Sequence, residues 1–67
     1  MVAERKAVDE LMTLDEVAAH LKVPVATMRK WRVEGKGPAG FRIGKYIRYR
    51  RSTVEAFIAE QEAAEWR

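Results

Sequence analysis

Apolar positions along this 67-residue chain run first at a helical period, then at a strand period, then at a helical period again. Leu14, Val17, Ala18 and Leu21 recur at the i, i+3, i+4, i+7 spacing of one helical face, while Asp15, Glu16 and Ala19 point elsewhere. Thr13 followed three positions later by Glu16 is the pattern of a capping box, and Met12 with Val17 occupies the two positions of a hydrophobic staple. A short, one-sided helix is therefore expected from about Leu14. The pattern breaks at Lys22-Val23-Pro24, because proline disfavours helical geometry at Val23 yet suits the first turn of a new helix. That second helix is expected over 24–34. Met28 and Trp31 share its inner face as core residues, which leaves Ala26, Arg29, Lys30 and Val33 on the opposite side, and Gly35 stops it.

Phe41, Ile43, Ile47 and Tyr49 next alternate with Arg42, Arg48 and Arg50, the two-residue period of strands with one buried face, and Gly44-Lys45 sits at the break in phase. A hairpin of 41–43 with 46–49 is expected, its apolar side turned inward and its arginines outward. Ser52 with Glu55 is the pattern of a second capping box, opening a last helix with Val54, Phe57 and Ile58 on its apolar face. Beyond Ala59 that face weakens. Residues 60–67, with Glu60, Glu62, Glu65 and a Trp66 lying off the stripe, read as a helical extension or tail. Residues 1–10 have no apolar periodicity and read as a flexible leader, so 11–59 is the expected domain. The expected fold is α+β, mainly α: a small winged helix-turn-helix of three helices, with a two-stranded β-hairpin wing between the second and third.

Ten of the residues behind the 48% hydrophobic content are alanine, so the core is limited to about a dozen side chains. Stability of a few kcal/mol, on the order usual for such small domains, follows. There is no cysteine, and His20 is the only histidine, so neither disulfides nor a zinc site are expected, and no cofactor is implied. With one histidine, no thiol and no carboxylate pair in an evident pocket, enzymatic chemistry is not expected, and Tyr46 and Tyr49 lack the surrounding groups a nucleophile needs. No apolar run approaches the roughly 20 residues that span a bilayer, so no membrane partner and a cytoplasmic location are expected.

The net charge of +3 conceals a strong asymmetry. From 22 to 51 the chain carries ten basic residues (Lys22, Arg29, Lys30, Arg32, Lys36, Arg42, Lys45, Arg48, Arg50 and Arg51) against Glu34 alone, a surplus of nine. The flanking segments together carry a deficit of six. Such a basic block between acidic ends is an electrostatic footprint for a polyanion. Two short helices joined by a tight turn, the second basic on its outer face, describe a helix-turn-helix whose second helix enters the major groove of double-stranded DNA.

The strings Leu14-Asp15-Glu16-Val17-Ala18-Ala19-His20-Leu21-Lys22-Val23, Thr27-Met28-Arg29-Lys30-Trp31, Gly35-Lys36-Gly37-Pro38 and Phe41-Arg42-Ile43-Gly44-Lys45-Tyr46-Ile47-Arg48-Tyr49 occur in that order. This ordered set resembles the phage excisionase (recombination directionality factor) family of MerR-like winged helix-turn-helix domains, over roughly residues 11–59. The resemblance implies an architectural DNA-binding protein of a bacteriophage that occupies adjacent attachment sites, bends the DNA and directs an integrase toward excision. It departs from the family pattern at Pro24-Val25-Ala26, where a more polar cap is usual. Apolar contact of Val25 or Ala26 with a thymine methyl is the reading there. Arg29 and Lys30 are assigned to the major groove and Thr27 and Arg32 to phosphates at its edges. On the wing, Arg42, Arg48 and Arg50 are assigned to phosphates, and Lys45 and Tyr46 at the tip to the minor groove. About six phosphate contacts would give a slope of log affinity on log salt near −5.

Two alternatives stand beside this one. A small MerR-like transcriptional regulator would carry the same domain, usually followed by a long dimerising helix, and no sustained heptad pattern appears here. A protein-interaction module for an acidic partner would show no preference for any duplex. Cooperative self-association on DNA is expected of the excisionase reading, with the acidic tail and Trp66 touching a neighbour's basic surface.

Overall fold

The computed structural model describes residues 9–65. In chain order it comprises β1 (Leu11–Met12), α1 (Leu14–Leu21), α2 (Val25–Glu34), β2 (Phe41–Ile43), β3 (Tyr46–Arg50) and α3 (Arg51–Glu65). This is the small winged helix-turn-helix expected, with one strand more.

Both halves of the first capping box form. Glu16 N–H donates to Thr13 Oγ1 at 3.1 Å, and Thr13 N–H donates to Glu16 Oε1 at 2.9 Å, so two donors otherwise orphaned at the helix start are satisfied. Met12 and Val17, the two staple residues, are both buried. At the other end of α1, Lys22 adopts φ 60°, ψ 42°, and Val23 N–H and Lys22 N–H donate to Ala18 O and Ala19 O at 3.0 and 3.1 Å. This is a Schellman close, built on a lysine where glycine is usual. Pro24 lies just outside α2 rather than in its first turn: its ψ of 149° is extended, and its carbonyl accepts from Thr27 and Met28. The turn between the two helices is therefore Lys22-Val23-Pro24.

The sheet is antiparallel in the order β1-β3-β2. The pattern of the sequence did not predict β1, since two residues are too few to display an alternation. Leu11 pairs with Arg50 and Met12 with Tyr49, which ties the start of the domain to the far strand of the wing.

The start of α3 also departs from expectation. Ser52 lies inside the helix and caps nothing. Arg51 N–H donates to Glu10 O at 3.0 Å and Ser52 N–H to Asp9 Oδ1 at 3.1 Å, so residues 9 and 10 cap α3 from across the sheet. These last two residues of the expected leader are thus part of the fold; residues 1–8 lie outside the described part. Glu55 takes another partner, its Oε2 lying 2.8 Å from His20 Nε2 on α1.

Met12, Val17, Ala18, Met28, Tyr49 and Val54 are buried and contiguous, one contribution or more from each of α1, α2, α3, β1 and β3. Burying side chains the size of the five larger ones contributes about 1.5–3 kcal/mol each, and Ala18 less, so this cluster is the main source of stability. Leu14, Leu21, Val23, Val25, Trp31, Ile47 and Ile58 pack around them. Trp31 is half-buried and tilts against Phe57 on α3, with ring centroids 6.1 Å apart. A Cβ on Gly40 would stand 2.7 Å from the Tyr49 ring, so the chain entering β2 is held against that ring by the absence of a side chain. The residues of α3 from Ala59 to Glu65 are exposed, a helical extension beyond the core.

Candidate nucleic-acid interface

Because Met28 and Trp31 turn α2 toward the core, Ala26, Arg29, Lys30 and Val33 are left exposed on its outer side. Val33 is 89% exposed. A branched aliphatic this bare on a packed helix adds nothing to the core.

The hairpin supplies the second wall. Its register pairs Phe41 with Arg48, Arg42 with Ile47 and Ile43 with Tyr46 across the Gly44-Lys45 turn, where Gly44 has φ 62°. Cross-strand partners project to the same side of a sheet. Tyr49 is fixed inward by the core, so Ile47 and, through its pairing, Arg42 share that side. Phe41, Ile43, Tyr46, Arg48 and Arg50 share the other. The expectation of an inward face of Phe41, Ile43, Ile47 and Tyr49 with all arginines outward is thus corrected: the two strands are out of phase with each other across the two-residue turn, and Phe41 and Ile43 are exposed.

The consequence is an open groove of about 620 Å³ between α2 and the wing. Arg29 and Arg32 of α2 stand on one side and Arg42 and Lys45 of the hairpin on the other, with apolar Leu14, Val33 and Ile47 completing the lining. None of these four cations has an acidic partner within 4.0 Å among the described residues. Four basic residues elsewhere lie against carboxylates. Lys30 and Lys36 both lie near Glu34, at 4.0 and 3.5 Å, Arg50 pairs with Asp9 at 3.0 Å, and Arg51 is 3.9 Å from Glu55. Lys22 and Arg48 also lack acidic partners among the described residues, but neither lines the groove, so the groove is where unpaired cations gather and can take an anion.

Of the residues assigned from sequence, Arg29, Arg32, Arg42 and Lys45 converge on the groove. Lys30 and Ala26 are exposed on α2 beside it. Thr27 is half-buried, and Val25 packs against the core, which limits its reach toward a ligand. Arg48 and Arg50 lie on the opposite face of the hairpin, so the ten cations do not form one continuous surface. There Arg48 donates to its own neighbour's carbonyl, Ile47 O, at 2.7 Å and stands 5.5 Å from the centroid of the Tyr46 ring. Arg50 stands 6.0 Å from that of Phe41. Lys45 at the tip serves both sides, lining the groove and standing 5.9 Å from the Tyr46 ring. Leu14 and Val33 were not among the assigned residues; the exposed position of Val33 on the basic side of α2 was the available signal.

Ser52, through its hydroxyl and its amide, together with Arg50 holds the Asp9 carboxyl below the usual carboxylate range, well away from the groove. Among the described residues there is no group of three His, Asp or Glu able to hold a metal ion, and no helix long and apolar enough to cross a membrane. A family model described as a helix-turn-helix domain matches residues 11–62. No curated protein and no solved structure matches the chain.

Proposed function

Since the chain belongs to the helix-turn-helix domain family, a DNA-binding family that includes excisionase-like proteins, we propose that it binds duplex DNA through the groove between α2 and the hairpin. The observation that carries this is the convergence on one groove of four cations without acidic partners among the described residues, two from each wall, while Lys30, Lys36, Arg50 and Arg51 lie against carboxylates. A phosphate strand seated between the walls meets Arg29 and Arg32 on one side and Arg42 and Lys45 on the other. The exposed side of α2 then enters the major groove, where Lys30 reaches a base edge and Ala26 offers a methyl-sized apolar contact. The wing tip at Lys45 lies toward the neighbouring minor groove. Members of this family are typically non-enzymatic, and binding of this kind requires no bond to be made or broken.

The finer reading is an excisionase: a protein that occupies attachment-site DNA, bends it and directs an integrase toward excision. It is supported by the ordered motifs from Leu14 to Tyr49 and by a family that includes such proteins. Footprinting across an attachment site and across promoter DNA tests it. Protection of tandem sites beside the recombination core is the expected result. Protection of a promoter operator alone would reassign the chain as a transcriptional regulator, and equal affinity for every duplex with no footprint would favour a module for an acidic protein.

A further inference from the structure

Among the described residues, four of the five exposed large hydrophobics lie on one surface that the groove does not use. Leu11 (43% exposed) pairs with Arg50, Phe41 (37%) with Arg48, and Ile43 (49%) with Tyr46 (56%), so all four apolar side chains share the outer face of the three-stranded sheet. The fifth, Val33, is in the groove. Scattered exposed hydrophobics are ordinary, whereas Phe41, Ile43 and Tyr46 adjoin one another in the hairpin register, and a cluster of this kind on so small a domain marks a surface that is covered in use. Arg48, which has no acidic partner among the described residues, and Lys45 stand over the Tyr46 ring within it, making the patch apolar and positive together.

The same chain carries a complementary surface at its other end. From Ala59 to Glu65, α3 is exposed and runs beyond the core, with Glu60, Glu62 and Glu65 and no basic residue in that stretch. Its remaining residues are three alanines and Gln61, small enough for a helix to lie close over aromatic rings. We propose that the outer face of the sheet docks the exposed end of α3 of a second copy, with Glu62 and Glu65, three apart on one helical face, meeting Arg48 of the next molecule.

The two patches differ, so the contact is head-to-tail: each molecule that offers its sheet to one neighbour still offers its helix to another, and the assembly grows as an open chain. The docking face is on the side of β3 opposite Arg42 and Ile47, which leaves the groove available in every copy. This deepens the self-association expected of an excisionase, but the contact is a property of the protein alone and is tested without DNA.

The test is sedimentation velocity of the full chain, without DNA, from micromolar to about 1 mM protein at low ionic strength, where the charged contact is least screened. The wild type is expected to gain mass continuously with concentration. Arg48→Glu and Glu62→Arg are each expected to weaken association by about tenfold or more, and the double variant to recover most of it, because the reversed charges attract again. Ile43→Ser, which removes apolar surface without touching charge, is expected to weaken association as well. Circular dichroism melts establish that each variant is folded; if Arg48→Glu is not, Ile43→Ser with Glu62→Arg carries the test. A wild type that stays monomeric throughout, or single variants that associate like it, would overturn the proposal. So would a monomer whose Tyr46 and Ile43 resonances shift with single-stranded oligonucleotide, which would reassign the face to nucleic acid.

Discussion

The Asp9 carboxylate accepts the backbone N–H of Ser52 at 3.1 Å, across 43 positions of the chain, and so supplies the start of α3 with the cap that its own sequence does not. Glu10 supplies the adjoining acceptor to Arg51. Asp9→Ala is expected to lower the thermal midpoint, and Ser52→Ala to do so less because the Ser52 amide remains. The bonds to Ser52, aided by Arg50, depress the folded-state pKa of Asp9. A depressed carboxylate pKa gives stability that is fully present above the unfolded value, about 3.9, and is lost as pH falls through the lower folded value. The gap in midpoint between wild type and Asp9→Ala should therefore be constant from neutral pH to about pH 5 and close in stronger acid. Thermal melts of both proteins at stepped pH check this, and a gap that widens on acidification would contradict it.

Salt dependence separates the two sides of the hairpin. With four groove cations on phosphates, log affinity should fall against log salt with a slope of about −3.6, shallower than six contacts would give. Arg42→Ala should move the slope to about −2.7 and weaken all duplexes alike, whereas Arg50→Ala, on the outer face, should leave it unchanged. Lys30→Ala, on the exposed side of α2, should instead relax sequence preference. Fluorescence anisotropy titrations at stepped salt read all three.

Lys22 holds a left-handed conformation that costs an ordinary residue about 1–2 kcal/mol. Lys22→Gly is expected to stabilise the domain by about 0.5–1 kcal/mol, since part of the relief is offset by the greater freedom of glycine in the unfolded chain. Urea denaturation measures it. The variant leaves every groove residue in place, so duplex affinity should change little.

Gly40→Ala sets a methyl 2.7 Å from the ring of buried Tyr49. Overpacking of this kind costs about 1–3 kcal/mol, a large share of what so small a core provides. Chemical denaturation should register the loss. Tyr49→Leu in the same background should recover part of it, because the displaced ring is the atom set in the way.

Much of this architecture is written locally in the sequence. The reciprocal bonds of Thr13 and Glu16, the break at Pro24, the stop at Gly35 and the inward direction of Met28 and Trp31 all depend on neighbours within a turn or so, and all appear where the pattern puts them. What escaped depends on distant partners. Ser52 and Glu55 have the composition of a capping box, but Asp9 reaches Ser52 first and His20 holds Glu55. Two-residue β1 exists only because β3 is beside it. The hairpin was placed correctly while its sides were misassigned, because a period-two alternation in each strand does not reveal the phase between them. That phase is set by the two-residue turn and by Tyr49 entering the core, and it is what sends Arg42 into the groove and Arg48 away from it.

The division between neutralised and free cations has a kinetic consequence. A molecule with four unpaired cations in one cleft, and with Glu60, Glu62 and Glu65 on a helix that projects beyond the core, carries an uneven charge distribution. In the field of a polyanion it rotates during diffusion so that the cleft faces forward, and a larger fraction of collisions is productive. Ions in solution weaken that torque, so the protein should not only hold its target less tightly as salt rises but also find it more slowly.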